Sequence, residues 1–196
     1  MKLLMLLAVL GGLAGATPEC RAQPTRFQTR TGTVSFFSSS PLEDIEARSQ
    51  QTTALVALNT GEMAFNVPIR SFQFRRTLMQ EHFNENYLES EKYPKATFTG
   101  RLLDWQPAAL AATGQPLAVV AEGDLTIHGV TRRVRVPGTL TLSGTELQVQ
   151  AQFTVAPADY NIVIPALVRG HIAKNVLVTV RMACAPAPGA TAASHP

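Results

Sequence analysis

Strict alternation of apolar and polar residues between Leu117 and Val155 is the feature that most limits how this chain can fold. A period of two that persists through three successive segments is typical of antiparallel strands with one buried face and one wet face. Small turns at Gly129 and at Ser143-Gly144 separate the segments, so we expect successive strands to pair as hairpins. The predicted inward positions are Leu117, Val119, Ala121, Gly123, Leu125, Ile127, Val130, Val134, Val136, Leu140, Leu142, Leu147, Val149, Ala151, Phe153 and Val155.

The rest of the chain repeats this pattern in shorter pieces. We predict further strands at residues 27–31, 33–38, 53–59, 62–72, 96–103 and 176–182. Two helical inserts interrupt them, one at residues 77–88 with a capping box at Thr77 and Gln80, and one opened by Pro165. Because long strands with one apolar face close most simply into a barrel, the sequence predicts an all-β fold, a single antiparallel eight-stranded barrel with one or two short helical inserts. Periodicity alone leaves open whether the interior is a packed core or a ligand cavity.

The beginning of the chain has the features of a secretory signal peptide. A positive charge precedes an apolar stretch and a run of small residues, and cleavage fits either after Ala16 or after Ala22, of which we favour the second. The apolar stretch is too short for a good membrane span, and the residues before Cys20 lack a lipoprotein pattern, so no stable membrane anchor is expected. We therefore expect a periplasmic or secreted protein. Its expected organisation is a signal peptide at 1–22, a barrel domain at 23–184 and a disordered, low-complexity tail at 185–196.

Cysteine and charge content exclude several classes of protein. Cys20 and Cys184 are the only cysteines. Cleavage after residue 16 would keep both and allow one disulfide, whereas cleavage after residue 22 would leave Cys184 alone. Two cysteines so far apart offer no spacing for a metal site. A formal charge of +3 is too small to indicate nucleic-acid binding, and we expect Arg133 and Arg135 to lie on the solvated face of a strand.

No catalytic motif stands out in the sequence. A nucleophile elbow, a phosphate loop, a dinucleotide fingerprint and a zinc-protease helix are all absent. His82, His128 and His171 are scattered without metal-ligand spacing, and we expect His128 to be a turn residue. His82 and His171 each lie between apolar positions of a short insert. This placement fits either a half-buried histidine with a backbone partner or a polar group at the mouth of a pocket.

Three stretches of the chain resemble the YceI family of secreted bacterial proteins. They are residues 78–100, with the run Tyr93-Pro-Lys-Ala-Thr-Phe98, residues 123–137, with the run Leu125-Thr-Ile-His-Gly-Val-Thr131, and the closing strand at 176–182. The resemblance implies an extended lipocalin-like antiparallel barrel whose elongated apolar cavity holds a polyisoprenoid or a similar long-chain amphiphile. It also implies a periplasmic address, and it brings no catalytic motif.

Alternation and resemblance together predict a binding protein that performs no catalysis. Its expected partner is a long-chain apolar small molecule, an isoprenoid, quinone or fatty-acyl ligand, bound without a cofactor or metal, and a homodimer is left open. The predicted ligand-binding residues are Phe65, Val67, Phe83, Phe98, Leu125, Ile127, Phe153 and Ile164 in the wall, and His82 and His171 near an opening.

Two other functions stay open at this point. A barrel with a packed interior would act through its outer face, as an envelope stress or interaction module. An accessory to quinone or lipid redox chemistry would bring His82, His128 and His171 together in space.

Overall fold

The computed structural model describes residues 25–110 and 114–188. Within them the chain forms nine strands, one short α-helix and several single turns of 3₁₀ or π-helix. The strands are β1 Arg26–Ser39, β2 Asp44–Ala57, β3 Glu62–Pro68, β4 Gln73–Phe74, β5 Lys95–Leu102, β6 Leu117–Ile127, β7 Val130–Ser143, β8 Glu146–Val155 and β9 Val176–Pro186, and helix α1 is Thr77–His82. In this described part no helix has the length and apolar character needed to cross a membrane.

Eight of these strands close into an antiparallel barrel, which confirms the predicted fold class. The order around the barrel is β1-β9-β8-β7-β6-β5-β3-β2, and β2 pairs with β1 to complete the ring. The two-residue strand β4 extends the β3 side of β2 at Ala47 and Arg48. Closure pairs the edge strands with each other, which is how a long antiparallel sheet avoids exposed edges.

The hairpin from β6 to β8 follows the sequence prediction within one residue at each boundary. The turn between β6 and β7 consists of His128 (φ 50°) and Gly129 (φ 75°), and two left-handed central residues are characteristic of the hairpin turn that matches strand twist. On the outer face Arg133 and Arg135 donate hydrogen bonds to Glu122, at 3.1 and 2.7 Å. These bonds lower the pKa of the Glu122 carboxyl. The predicted solvated strand face is therefore confirmed.

Register gives the barrel two unlike ends. At one end lie five fully buried side chains, which we call the floor. Four of them form two cross-strand pairs, Phe27 with Val56 and Leu147 with Cys184. The fifth is Leu140 of β7. The opposite end is surrounded by residues 40–43, by α1 with the π-helical turn Phe83–Tyr87, and by the connection at residues 157–171. We call this end the mouth. Both helical inserts therefore lie beside the same opening.

Several predicted strand boundaries were wrong, each for a local reason. β1 runs through Gly32 without a break, and its register against β2 shifts on both sides of this residue. Met182 occupies the space that a side chain at Gly32 would need. β2 begins at Asp44, well before the predicted residue 53. β3 ends at Pro68, which has no N–H to donate, and the 3₁₀ turn Ile69–Ser71 follows it. β9 extends past the predicted residue 182, and Ala185 pairs with Gln28, so the first residues of the predicted tail belong to the sheet.

The helical insert also differs from its prediction. α1 begins at Thr77 but ends after His82, and a π-helical turn completes the insert. Arg76 occupies the N-cap position without a side-chain cap, so the predicted capping box is wrong. Gln80 instead accepts a hydrogen bond from the backbone N–H of Phe74 at 3.3 Å. Tertiary contact with β4 therefore replaces the local cap.

Candidate ligand-binding site

The barrel encloses a cavity of about 450 Å³ above the floor. This volume lies within the range of roughly 300–1,000 Å³ that is usual for small-molecule sites. Strand residues from Met63 and Met182 near the floor to Val155 and Val176 near the mouth form its wall. Of the lining residues that the structure describes, only Glu43 carries an acidic or strongly basic side chain. The interior is thus packed at one end and hollow at the other.

All ten residues that the sequence analysis singled out line this cavity. The strands supply Phe65, Val67, Phe98, Leu125, Ile127 and Phe153, and the inserts at the mouth supply His82, Phe83, Ile164 and His171. The structure thus brings together residues that lie more than 100 positions apart in the chain. Their role in binding a ligand stays a prediction.

A cluster of four phenylalanine rings packs the helical insert against the barrel wall. Phe83 of the π-helical turn lies 5.4 Å from Phe36, 5.6 Å from Phe72 and 5.0 Å from Phe74, between ring centroids. All four rings also line the cavity. Sequence reasoning selected only Phe83 of these four. Phe36 lies in β1, whereas Phe72 follows the 3₁₀ turn Ile69–Ser71 and Phe74 lies in the two-residue strand β4, so no long alternating pattern marks the last two.

The ring of Phe98 occupies the space left by the absence of side chains at Gly100 and Gly123. Gly100 of β5 lies directly opposite Gly123 of β6, and a Cβ on either residue would come within 2.8 Å of Phe98 Cζ. The ring therefore rests over this pair of glycines on the inner face. It also lies 6.1 Å from the ring of Phe65, between centroids. The two predicted wall aromatics form one continuous apolar surface.

The Glu and His side chains that line the cavity, Glu43, His82 and His171, all lie at the mouth. The Oγ of Ser40 accepts hydrogen bonds from the backbone N–H groups of Leu42 (3.3 Å) and Glu43 (3.0 Å), which fixes the turn that carries the Glu43 side chain. Arg76 donates to Oε1 of Glu43 at 2.8 Å, and Nδ1 of His171 lies 3.8 Å from Oε2. One carboxylate thus joins the β1–β2 loop, the start of α1 and the 3₁₀ turn at residues 166–171. Sequence reasoning missed Glu43, because a lone loop glutamate carries no periodic signal.

His128 forms a second, separate cluster beside the mouth. Its Nδ1 lies 3.1 Å from the backbone carbonyl oxygen of Tyr160, and its Nε2 lies 2.7 Å from Oε2 of Glu89. The ring of Tyr93 packs against it with centroids 4.5 Å apart. A carbonyl oxygen can only accept a hydrogen bond, so Nδ1 is the donor to Tyr160. The turn assignment of His128 is confirmed, and the residue also ties the two sequence stretches 78–100 and 123–137 together.

Removal of this imidazole should weaken the fold measurably. We expect His128→Ala to lower the free energy of unfolding by about 1–3 kcal/mol, because it leaves the carbonyl of buried Tyr160 without its donor. His82→Ala on exposed α1 is the matched control and should change stability by less than about 0.5 kcal/mol. Urea denaturation of both variants measures the difference. Equal stability of the two variants would contradict the structural role of His128.

The three histidines do not form one centre. His82 and His171 both line the cavity, whereas His128 is occupied by Glu89 and Tyr160. Among the described residues no group of three or more His, Cys, Asp or Glu side chains could hold a metal ion. The convergence that a redox accessory would need is therefore not observed for His128.

Cys184 lies in the floor, and its thiol is less acidic than that of an exposed cysteine. Burial, followed by the charge of Glu146, raises its pKa to about 11. It forms no disulfide within the part of the chain that the structure describes. Cys20, with which it could pair only if cleavage follows Ala16, lies outside that part. Cys184 does not line the cavity, so we expect no contact between its thiol and a ligand bound there.

The raised pKa of Cys184 has a measurable consequence. At about pH 8 only about one thiol in a thousand is ionised. In a Cys20→Ser variant we therefore expect iodoacetamide to modify Cys184 at the rate of protein unfolding. Modification of Cys184 at the rate of a free thiol would contradict its burial.

The stability of the protein should also depend on the ionisation of Cys184. Because the folded-state pKa exceeds the unfolded one, the stabilising contribution of the neutral thiol is complete below about pH 9 and is lost as the pH rises towards about 11.

Comparisons with known proteins agree with this architecture. The family model of the YceI-like domain matches residues 21–184. A polyisoprenoid binding domain from Saccharophagus degradans, implicated in plant cell wall breakdown, is 20% identical, with 84% of this chain and 100% of that chain covered and a TM-score of 0.72. BcnA from Burkholderia cenocepacia is 20% identical, with 79% and 96% covered and a TM-score of 0.64.

A third solved structure is more distant. The YCEI protein of Campylobacter jejuni is 11% identical, with 93% of this chain and 97% of that chain covered and a TM-score of 0.52. None of the curated proteins matches the chain. At these identities the solved structures establish a common fold.

Proposed function

We propose, because this chain belongs to the YceI-like domain family, that its barrel binds one long-chain apolar molecule, such as an isoprenoid, and performs no catalysis. The observation that carries this proposal is a cavity of about 450 Å³ whose wall is apolar from the floor to the mouth. Burial of such a chain contributes about 0.8 kcal/mol per methylene, so few polar contacts are needed. A barrel that acted only through its outer face would have no use for this hollow.

Isoprenoids are the first class of ligand to test. The relative from Saccharophagus degradans is described as a polyisoprenoid binding domain, and its fold covers 84% of this chain. Fatty-acyl chains and quinones are the comparison ligands.

A homologous series of prenols tests the proposal. We expect affinity to rise by about fourfold per added methylene equivalent, which corresponds to about 0.8 kcal/mol, until the chain reaches the floor. Displacement of a fluorescent apolar probe measures each dissociation constant. Longer prenols should then bind no more tightly, because the floor is closed. Absence of binding across the series, with fatty alcohols and quinones also inactive, would contradict the proposed function.

We also propose that the mature protein works in the periplasm or outside the cell. The basic start, the apolar stretch and the small residues before Ala22 support this localisation. An apolar cavity is useful to a carrier in an aqueous compartment between membranes, because free isoprenoids are poorly soluble in water. Cell fractionation and sequencing of the mature N-terminus test the proposal, and a cytoplasmic protein that begins at Met1 would contradict it.

A further inference from the structure

The charge at the mouth restricts the head group of a ligand. Among the described residues that line the cavity, Glu43 is the only Asp, Glu, Lys or Arg. Its side chain is 25% exposed, whereas that of its partner Arg76 is 71% exposed and does not line the cavity. The Glu43 side chain therefore borders the cavity, and the guanidinium of Arg76 faces solvent.

An anionic head group is disfavoured by this arrangement. It would approach the Glu43 carboxylate more closely than it approaches Arg76, in a site where screening by water is reduced. A cationic head group gains little, because Arg76 already compensates the carboxylate. A neutral donor can bond to Glu43 Oε2, which His171 approaches only to 3.8 Å. The imidazoles of His82 and His171 offer further polar contacts at the same opening.

We infer that the mouth selects neutral, hydrogen-bond-donating amphiphiles, such as long-chain alcohols, and discriminates against anionic amphiphiles of the same chain through Glu43. This inference rests on the proposed function and specifies the ligand class of the same cavity. Discrimination against the anion should be about tenfold or more, since like charges placed close together at a desolvated site cost at least this much.

Matched amphiphiles with one chain and different head groups test the inference. Palmityl alcohol, palmitate and palmitylamine are compared at about pH 8, by displacement of a fluorescent apolar probe from the mature protein as the cell processes it. We expect the alcohol to bind at least about tenfold more tightly than palmitate and no less tightly than the amine. Equal or tighter binding of palmitate or tighter binding of the amine would overturn the inference while the proposed function stands. Binding of no amphiphile would overturn the proposed function as well.

Two variants move the discrimination in opposite directions. Glu43→Gln keeps the shape and removes the charge, so the preference for the alcohol should fall below about threefold. Arg76→Gln removes only the compensating charge and should increase the preference. Glu81→Gln is the control, because Glu81 is exposed on α1 and does not line the cavity. An unchanged preference in both Glu43→Gln and Arg76→Gln would overturn the role of Glu43.

Discussion

Replacement of Phe153 by glutamate is expected to lower the affinity for a prenol or fatty alcohol by at least about a hundredfold, which is about 2.7 kcal/mol. Phe153 lies on the inner face of β8, opposite Val178 of β9, and both side chains line the cavity. A carboxylate there would have to lose its water against the apolar chain of the ligand, at a cost of several kcal/mol. Calorimetric titration of the folded variant measures the loss.

The neighbouring position provides the control for this substitution. Thr154→Glu places the same charge on the exposed face of the same strand. It should leave the affinity within about twofold of the unsubstituted protein, because an exposed surface substitution has little effect. If Phe153→Glu folds, as shown by circular dichroism, and still binds the ligand with unchanged affinity, the cavity is not the binding site.

Truncation of Leu147 is expected to have the largest effect on stability. Leu147 is fully buried in the floor and does not line the cavity. Leu147→Ala should lower the free energy of unfolding by about 2–5 kcal/mol, because it removes buried apolar area and leaves a void in a closed end. Ligand affinity of the folded variant should change little. Guanidinium denaturation measures the stability.

An exposed leucine gives the matched comparison for the floor. Leu55 of β2 is 45% exposed, and Leu55→Ala should cost less than about 0.5 kcal/mol. The difference between the two variants separates the effect of burial from the effect of strand propensity. A cost below about 1 kcal/mol for Leu147→Ala would show that the floor is loosely packed and that the cavity extends through it.

The sequence predicted the strands best where several physical signals agree. From Leu117 to Val155 alternation, short turns and burial all agree, and the strands were placed within one residue. Residues 44–52 of β2 escaped detection because polar side chains occupy its inner face. Ser49 and Thr52 are fully buried there, and Ser49 Oγ shares a hydrogen bond with Ser71 Oγ at 2.6 Å. Alternation of apolar residues cannot report an inner face of this kind.

The cavity wall was also accessible from the sequence, whereas the mouth was only partly so. Wall residues such as Phe98 and Leu125 follow the period of the strands, and the family resemblance indicated that the interior is hollow. Glu43 could not be found in the same way, because its position depends on the Ser40 turn and on Arg76, 33 residues away. Contacts between distant loops have no periodic signature. The proposed selectivity for the head group of the ligand could therefore be inferred only from the structure.

Native mass spectrometry of the mature protein purified from its own source tests the central claim most directly. The account predicts a stoichiometric adduct, and organic extraction of that complex should release a neutral long-chain species such as a prenol. Detection of the intact ligand would also identify it. A clean mass of the protein alone, unchanged after incubation with prenols, quinones and fatty alcohols, would contradict the claim that this barrel is a carrier of an apolar chain.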